Sequence, residues 1–168
     1  MKKLILLLFI PFFSFSQVDI ERYKVYETTN INISLLLDSA LGKIWIIQIG
    51  INDPSDRMKV VLSDSEYAQT LEYITENWNE SYNENMTFWE ENYNSKPDSI
   101  VSAEDKAYWK PYNLEETIER RNVAQNGRFK LYPTGNMFNF IMVDVIDGRT
   151  WQVQWSTEEN KRLVLRIW

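Results

Sequence analysis

An internal repeat is the strongest constraint on how this chain can fold. Residues 22–50 align without a gap with residues 128–156 at a constant offset of 106; the two segments read RYKVYETTNINISLLLDSALGKIWIIQIG and RFKLYPTGNMFNFIMVDVIDGRTWQVQWS. Nine of the 29 aligned positions are identical. After a one-residue gap the match continues, with RMKVVL at 57–62 against RLVLRI at 162–167. Similarity that keeps register over this length predicts two copies of one structural unit.

Each copy has the pattern of four β-strands. Alternation with a period of two residues is clearest in the third strand of the second copy, where Trp151, Val153 and Trp155 alternate with Gln152 and Gln154. The expected strands are 22–28, 31–37, 43–49 and 57–62 in the first copy, and 128–134, 137–143, 149–155 and 162–167 in the second.

The turn between the second and third strands has the same chemistry in both copies. Asp38 and Asp144 are each followed, four residues later, by Gly42 and Gly148. An aspartate carboxylate accepts hydrogen bonds from amides two or three residues further along a turn. Glycine adopts the left-handed conformation that closes a short hairpin loop. Both aspartates are therefore interpreted as turn residues rather than as metal ligands or catalytic groups.

The insert between the two copies, residues 63–127, has helical patterns instead. Residues 63–66 fit a capping box. The apolar residues that follow fall on one helical face: Tyr67, Leu71, Ile74 and Trp78. A short helix is expected at 102–105, and another from residue 113 to a stop at Asn126–Gly127. The stretch 78–99 shows no steady period and predicts an irregular segment.

The negative charge of the chain is concentrated around this insert. Residues 51–127 hold 16 acidic and seven basic side chains, a net charge of −9. Residues 17–50 and 128–168 together hold eight acidic and nine basic side chains, a net charge of +1. One interpretation is a solvated helical face that keeps the protein in solution. The other is an acidic docking surface that speeds association with a basic partner.

Aromatic side chains of the insert lie among these carboxylates. Phe88–Trp89 and Tyr108–Trp109 are adjacent pairs, and sequence neighbours cannot all point inward. A partly exposed aromatic ring beside a carboxylate is typical of peptide or sugar recognition. The candidate binding residues are Trp89, Glu90, Glu91, Tyr108 and Trp109. The alternative is that these aromatic rings only pack against the edge of a sheet.

The N-terminus has the three regions of a secretory signal peptide. Met1-Lys2-Lys3 is basic, residues 4–13 are almost entirely apolar, and Ser14 and Ser16 place small residues before a cleavage site. The alternative, a buried N-terminal strand or helix, fits these regions less well. We expect cleavage between Ser16 and Gln17. The remaining residues 17–168 are then one soluble domain, periplasmic or secreted, with no cysteine to accept a lipid.

Composition excludes several classes of chemistry. With no His and no Cys in the chain, Ser-His-Asp and Cys-His catalysis and histidine zinc sites are ruled out. We expect no metal ion, no cofactor and no membrane insertion. The net charge of −8 over residues 17–168, with 16 basic and 24 acidic side chains, argues against a nucleic-acid partner. Hydrolysis by paired carboxylates remains open, with the candidates Glu90, Glu91, Glu104 and Asp105.

The second copy also resembles a known group of proteins. Its NM-aromatic strand, Asp-x-x-x-Gly-Arg turn and Trp-Gln-Val-Gln-Trp strand are similar to the C-terminal part of small, uncharacterised bacterial exported proteins. The signal peptide looks like those of Bacteroidetes. The resemblance covers about 30 residues and implies no activity, because the group has none established. The hairpin is also similar to hairpins of β-propeller blades, but two units are fewer than the four blades that a closed propeller needs.

These observations predict an α+β protein. Two four-stranded antiparallel meanders are expected to pack with approximate two-fold symmetry, and the acidic helical insert to cover an edge or face. Trp45 and Trp151 should then occupy equivalent, mostly buried sites. The predicted function is a non-enzymatic exported binding protein with a protein or glycan partner in the envelope. The alternatives are a periplasmic inhibitor or immunity-type protein that uses the acidic insert and, less favoured, a carboxylate-dependent glycosidase.

Overall fold

A computed structural model describes residues 20–50 and 53–168. The predicted signal peptide, residues 1–16, lies outside this part of the chain. The strands are β1 (Tyr23–Glu27), β2 (Ile33–Asp38), β3 (Ile44–Gln48), β4 (Met58–Ser63), β5 (Phe129–Pro133), β6 (Asn139–Asp144), β7 (Thr150–Gln154) and β8 (Leu163–Ile167). The α-helices are α1 (Leu71–Trp89), α2 (Ala103–Trp109) and α3 (Leu114–Arg120), and a π-helical turn, Glu90–Asn94, follows α1.

The strands form two antiparallel sheets in which sequence neighbours pair. Sheet 1 has the order β1-β2-β3-β4 and sheet 2 has the order β5-β6-β7-β8. Every observed boundary lies within two residues of the predicted one. The prediction of an α+β fold with two four-stranded antiparallel meanders is confirmed.

The hairpin turns have the predicted chemistry. The Asp38 carboxylate accepts hydrogen bonds from the amides of Ala40 (3.0 Å) and Leu41 (3.2 Å), and Asp144 accepts one from the amide of Ile146 (3.1 Å). The glycine of each turn is left-handed, with φ of +84° in sheet 1 and +75° in sheet 2. Turn amides and an arginine side chain therefore account for each aspartate.

The core lies between the sheets, but the two sheets bury different faces. β2 buries Leu35 and Leu37. At the offset of 106 these positions align with Ile141 and Val143, yet β6 buries Met142 instead. A two-fold axis would bury equivalent residues in both sheets. The burial pattern therefore disagrees with the expected two-fold packing. It is that of a stack in which the two sheets meet through non-equivalent faces.

The two aligned tryptophans illustrate this difference. Both lie on the third strand of their sheet. Trp151 is buried in the core, whereas Trp45 is partly exposed on the opposite face of its sheet, with the Lys59 ammonium 4.3 Å above its ring. The prediction of equivalent sites is wrong, because each sheet presents a different face to the core.

The first helix begins later than predicted. Ser63 ends β4 instead of opening a capping box, and α1 begins at Leu71 with Thr70 as its N-cap. Tyr67 is not helical. Its ring packs against those of Phe129 and Trp151, with centroids 6.2 and 4.7 Å away. The sequence predicts this tyrosine as the start of a helical stripe, but it contributes to the core between the sheets.

Two further expectations for the insert are wrong and one is correct. The stretch expected to be irregular continues α1 as far as Trp89 and then forms the π-helical turn. The last helix begins after Asn113, which forms a full capping box with Glu116, but it ends at Arg120 rather than at Gly127. The short helix α2 follows its Ser102 N-cap as predicted.

Sheet 2 contains a buried ionic cluster. Arg128 and Asp144 are almost fully buried and lie 2.8 Å apart, and Arg149 lies 2.9 Å from the same carboxylate. Arg128 also donates to the Val123 carbonyl (2.7 Å) and Arg149 to that of Tyr67 (3.2 Å), so the cluster holds both ends of the insert. Burial acts to raise the pKa of Asp144, but hydrogen bonds from the two guanidinium groups outweigh it and hold that pKa below its usual value.

Candidate functional site

The helical insert leaves and rejoins the sheets at one point. The segments before α1 and after α3 run parallel there: the Gln69 amide donates to the Asn122 carbonyl and the Ala124 amide to the Gln69 carbonyl, both at 2.7 Å. Between these segments the three helices bury few side chains. Ile74 is the one buried residue of α1, and α2 and α3 have none. The insert therefore extends outward as an arm rather than covering a sheet face.

Two indole groups fasten the arm together. The Trp78 Nε1 donates to the Tyr112 carbonyl at 3.0 Å, and the Trp89 Nε1 donates to the Lys106 carbonyl at 2.8 Å. Each bond connects α1 to the returning chain. A donor on the apolar tryptophan side chain that meets its acceptor in this way fixes the relative position of two segments. These bonds fix the position of α1 relative to the returning chain, and a groove lies between the two segments.

The groove has a volume of about 1110 Å³. That volume is slightly larger than the usual range of small-molecule pockets, about 300–1,000 Å³. Aromatic side chains line it from both sides: Tyr73, Trp78, Tyr82, Phe88, Trp89, Tyr93, Trp109 and Tyr112. Trp109 is 54% exposed and stacks on Tyr93 with centroids 5.7 Å apart. Exposed ring faces in a concave surface are available for a bound molecule.

Charged side chains of both signs border the rings. Glu80 and Glu84 of α1 line the groove on one side. Arg120 and Arg121 line it at the C-terminal end of α3, and the Arg120 guanidinium lies 4.0 Å from the centroid of the Tyr112 ring. The groove therefore combines apolar ring faces with two glutamates on α1 and two arginines at the end of α3.

The five residues proposed from the sequence are only partly brought together. Trp89 and Trp109 line the groove. Tyr108 lies outside it and is largely exposed, with its ring 5.2 Å edge-on from Trp109. Glu90 accepts a hydrogen bond from Asn94 (2.7 Å) outside the groove, and Glu91 is exposed on the same turn. Of the carboxylates considered for hydrolysis, none lines the groove, and Asp105 accepts a bond from the Ser102 cap at 2.7 Å.

The sequence contained a signal for the missed residues. Asn77, Glu80, Ser81, Glu84 and Phe88 all line the groove and recur at intervals of three and four residues. That spacing places them on one face of a helix. Four of the five are polar, so a search for periodic apolar residues passes over them. A search for polar helical periodicity would have extended α1 and found the two glutamates.

Comparison with known proteins gave no relative. No protein-family model, curated protein or solved structure matches the chain. Across residues 20–50 and 53–168, no cluster of three Asp, Glu, His or Cys side chains is placed to hold a metal ion. No helix within the same residues is long and apolar enough to cross a membrane. The groove is thus the feature from which function has to be argued.

Proposed function

We propose that the chain is an exported binding protein whose insert groove takes a basic, partly apolar segment of a partner protein. The observation that supports this most directly is the combination of exposed rings with Glu80 and Glu84 in one groove. Lysine and arginine side chains have an apolar stem and a cationic end. The stem can pack on ring faces while the charge meets a carboxylate or an aromatic face. The net charge of −9 around the insert favours such a partner and speeds its approach.

The groove can be tested with two matched double variants of α1. Peptides are selected on the protein from a random display library, and their affinities are measured by fluorescence anisotropy. Selected peptides should be rich in Lys or Arg beside apolar residues. Glu80→Gln with Glu84→Gln should weaken their binding about tenfold or more, since close interfacial charge pairs contribute about that much. Glu72→Gln with Glu76→Gln is the control, because it removes two exposed charges of the same helix outside the groove.

Two results would contradict this proposal. One is the selection of uncharged peptides only, and the other is equal loss of affinity in both double variants. Binding should also weaken as salt rises, because the Debye length shortens from about 30 Å at 0.01 M ionic strength to about 10 Å at 0.1 M. A glycan held by the same ring faces would show no such salt dependence.

A second candidate is an inhibitor or immunity-type protein. It is favoured by the outward extension of the insert, whose α2 and α3 have no buried residue. A protruding acidic arm suits the blocking of a basic hydrolase or toxin. Such a partner would be a folded enzyme, so it would bind the protein while short peptides of the same charge did not. Hydrolysis by paired carboxylates has no specific support from the groove.

The two sheets are proposed to be copies of one ancestral unit. Support comes from hydrogen bonds that recur at an offset of 106. Thr28 Oγ1 donates to the Ile33 carbonyl (2.8 Å), and Thr134 Oγ1 donates to that of Asn139 (3.0 Å). Asn30 Oδ1 accepts from the amide two residues later, as does the asparagine at 136, both at 3.0 Å. The recurrence of both bonds at the offset that aligns the two sequences supports a common origin.

Export is the remaining part of the proposal. It is supported by the basic, apolar and small-residue regions of the first 16 residues. N-terminal sequencing of the protein recovered outside the cytoplasm should begin at Gln17. Recovery of the chain with Met1 intact, and only from the cytoplasm, would contradict it.

A further inference from the structure

The outer face of sheet 1, which points away from the core, is largely apolar. Its side chains include Tyr23 and Val25 of β1, Leu36 of β2, Trp45 of β3 and Val61 of β4. Tyr23 is 50% and Val25 56% exposed. Antiparallel sheets usually alternate apolar and polar side chains when one face meets water. The outer face also carries Glu27, Ser34 and Lys59, but its apolar side chains are contiguous across all four strands, and contiguous exposed apolar surface commonly marks an interaction site.

The aligned residues of sheet 2 show what such a face packs against. Tyr23, Val25 and Trp45 align at the offset of 106 with Phe129, Leu131 and Trp151, which are buried. They are the residues with which sheet 2 packs on sheet 1. The outer face of sheet 1 therefore resembles in composition the core-facing side of sheet 2. That side of sheet 2 packs on the inner face of sheet 1.

The outer face of sheet 2 is the matching half. Tyr132 and Leu165 are exposed there, and Ile141 and Val143 are partly buried. Their counterparts on sheet 1 are the core residues Tyr26, Val60, Leu35 and Leu37. The two outer faces of the molecule thus correspond to the two faces that already pack together inside it.

We propose that a second copy of this chain docks head to tail, with the outer face of sheet 1 in one copy packed on the outer face of sheet 2 in the next. This repeats the internal sheet-to-sheet contact between molecules. It rests on the proposed repeat and is independent of the insert groove. A head-to-tail contact closes into a ring or continues as a chain, depending on the rotation between sheets. Two copies contain four sheets, the smallest number with which blades close into a propeller.

The new contact is expected to be weaker than the internal one. Gln152 on the outer face of sheet 2 aligns with Ile46, which is buried in the core. Polar residues in place of core residues are typical of interfaces that associate reversibly. The assembly should therefore depend on protein concentration.

Sedimentation equilibrium across a range of concentrations tests the association. Two or more copies should form reversibly. Val25→Glu, which places an unpaired charge in the contact, should weaken association at least about tenfold. Ile100→Glu is the matched control, because Ile100 is 72% exposed on the insert and lies on neither sheet. Both variants should keep the thermal stability of the wild type. A protein that stays monomeric at every concentration, or is weakened equally by both changes, overturns the proposal.

Cross-linking tests the direction of docking without disturbing the face. The chain has no cysteine, so one can be introduced alone. β4 packs near β8 inside the molecule, and the same pair should meet between copies. Val61→Cys and Leu165→Cys proteins, each exposed at that strand, should cross-link through a short bismaleimide only when mixed. Cross-links within Val61→Cys alone, with none gained on mixing, would indicate a symmetric sheet 1 contact and would overturn head-to-tail docking.

Discussion

Sheets 1 and 2 share strand order and register but place the same residue types in different surroundings. In each, an arginine one residue before the first strand binds the aspartate that ends the second, at 2.9 Å between Arg22 and Asp38 and 2.8 Å between Arg128 and Asp144. The side chain of Arg22 is 45% exposed, whereas that of Arg128 is 3% exposed. The same ion pair thus lies near the surface in one sheet and in the interior in the other.

This difference shows which structural features the two similar sequences share and which they do not. Register and turn hydrogen bonds involve residues close together on paired strands, so they are reproduced wherever the local sequence is. Burial depends on which face another sheet covers, and that is decided by the whole molecule. The sheets also differ in their relation to the insert, since the cluster at Asp144 holds both ends of it through Arg128 and Arg149.

The largest expected difference is between Asp144→Ala and Asp38→Ala. Removing Asp144 leaves the buried Arg128 without its main partner, and an unpaired buried charge costs about 3–5 kcal/mol. Both removals leave turn amides without an acceptor, at about 1–3 kcal/mol for each buried amide, but Arg22 is 45% exposed and stays solvated without Asp38. Asp38→Ala therefore lacks the cost of an unpaired buried charge. Urea denaturation monitored by tryptophan fluorescence measures both free energies of unfolding.

A pH series supplies the control for this comparison. Because the pKa of Asp144 is lowered in the folded state, its stabilisation is complete above the ordinary aspartate pKa of about 3.9 and is lost as the pH falls through the lower, folded value. The Asp144→Ala protein should lack this part of the acid destabilisation. Equal losses in the two alanine variants at pH 7 would show that burial does not distinguish the two ion pairs.

The two aligned tryptophans should also separate. Trp151→Ala removes a buried ring that packs on Tyr67 and Phe129, and such a change costs about 3–5 kcal/mol. Trp45→Ala should cost only on the order of 1–2 kcal/mol, since a partly exposed ring removes less apolar surface from water. Thermal unfolding of the two variants, at a protein concentration where the chain is monomeric, measures this. A loss for Trp45 as large as that for Trp151 would contradict the assignment of the two rings to different faces.

The strands were predictable because their signals are local. Alternation of side chains and the Asp-x-x-x-Gly turns located every strand to within two residues. The buried face of sheet 1 was not predictable, because Ile44 and Ile46 on one side and Trp45 and Ile47 on the other are all apolar. Alternation indicates a buried face only when the two faces differ in polarity.

The candidate site was predictable as a region but not as a set of residues. Acidic charge and aromatic content pointed to the insert, and Trp89 and Trp109 do line its groove. Glu80 and Glu84 were missed because their helical period is polar. Which aromatic rings face the groove depends on contacts between helices, such as the bond from Trp89 to the Lys106 carbonyl. Such contacts between separate segments cannot be predicted from the spacing of residues within either segment.

The smallest expected difference concerns the glycines of the two hairpin turns. Gly42 and Gly148 are both left-handed, so alanine at either costs roughly 1–2 kcal/mol in backbone strain. A Cβ at Gly42 would lie 2.8 Å from Cδ2 of Tyr67, whose ring packs in the core, whereas a Cβ at Gly148 would meet nothing within 4 Å. Gly42→Ala should therefore lose about 1–3 kcal/mol of additional folding free energy through overpacking.

Urea denaturation of Gly42→Ala, Gly148→Ala and Gly42→Ala with Tyr67→Leu measures the contribution of the ring. If the difference between the glycines is steric, the smaller Leu side chain should make Gly42→Ala less costly than it is beside tyrosine. An unchanged cost would place the difference in the turn backbone, and the two hairpins would then differ locally as well as in their surroundings.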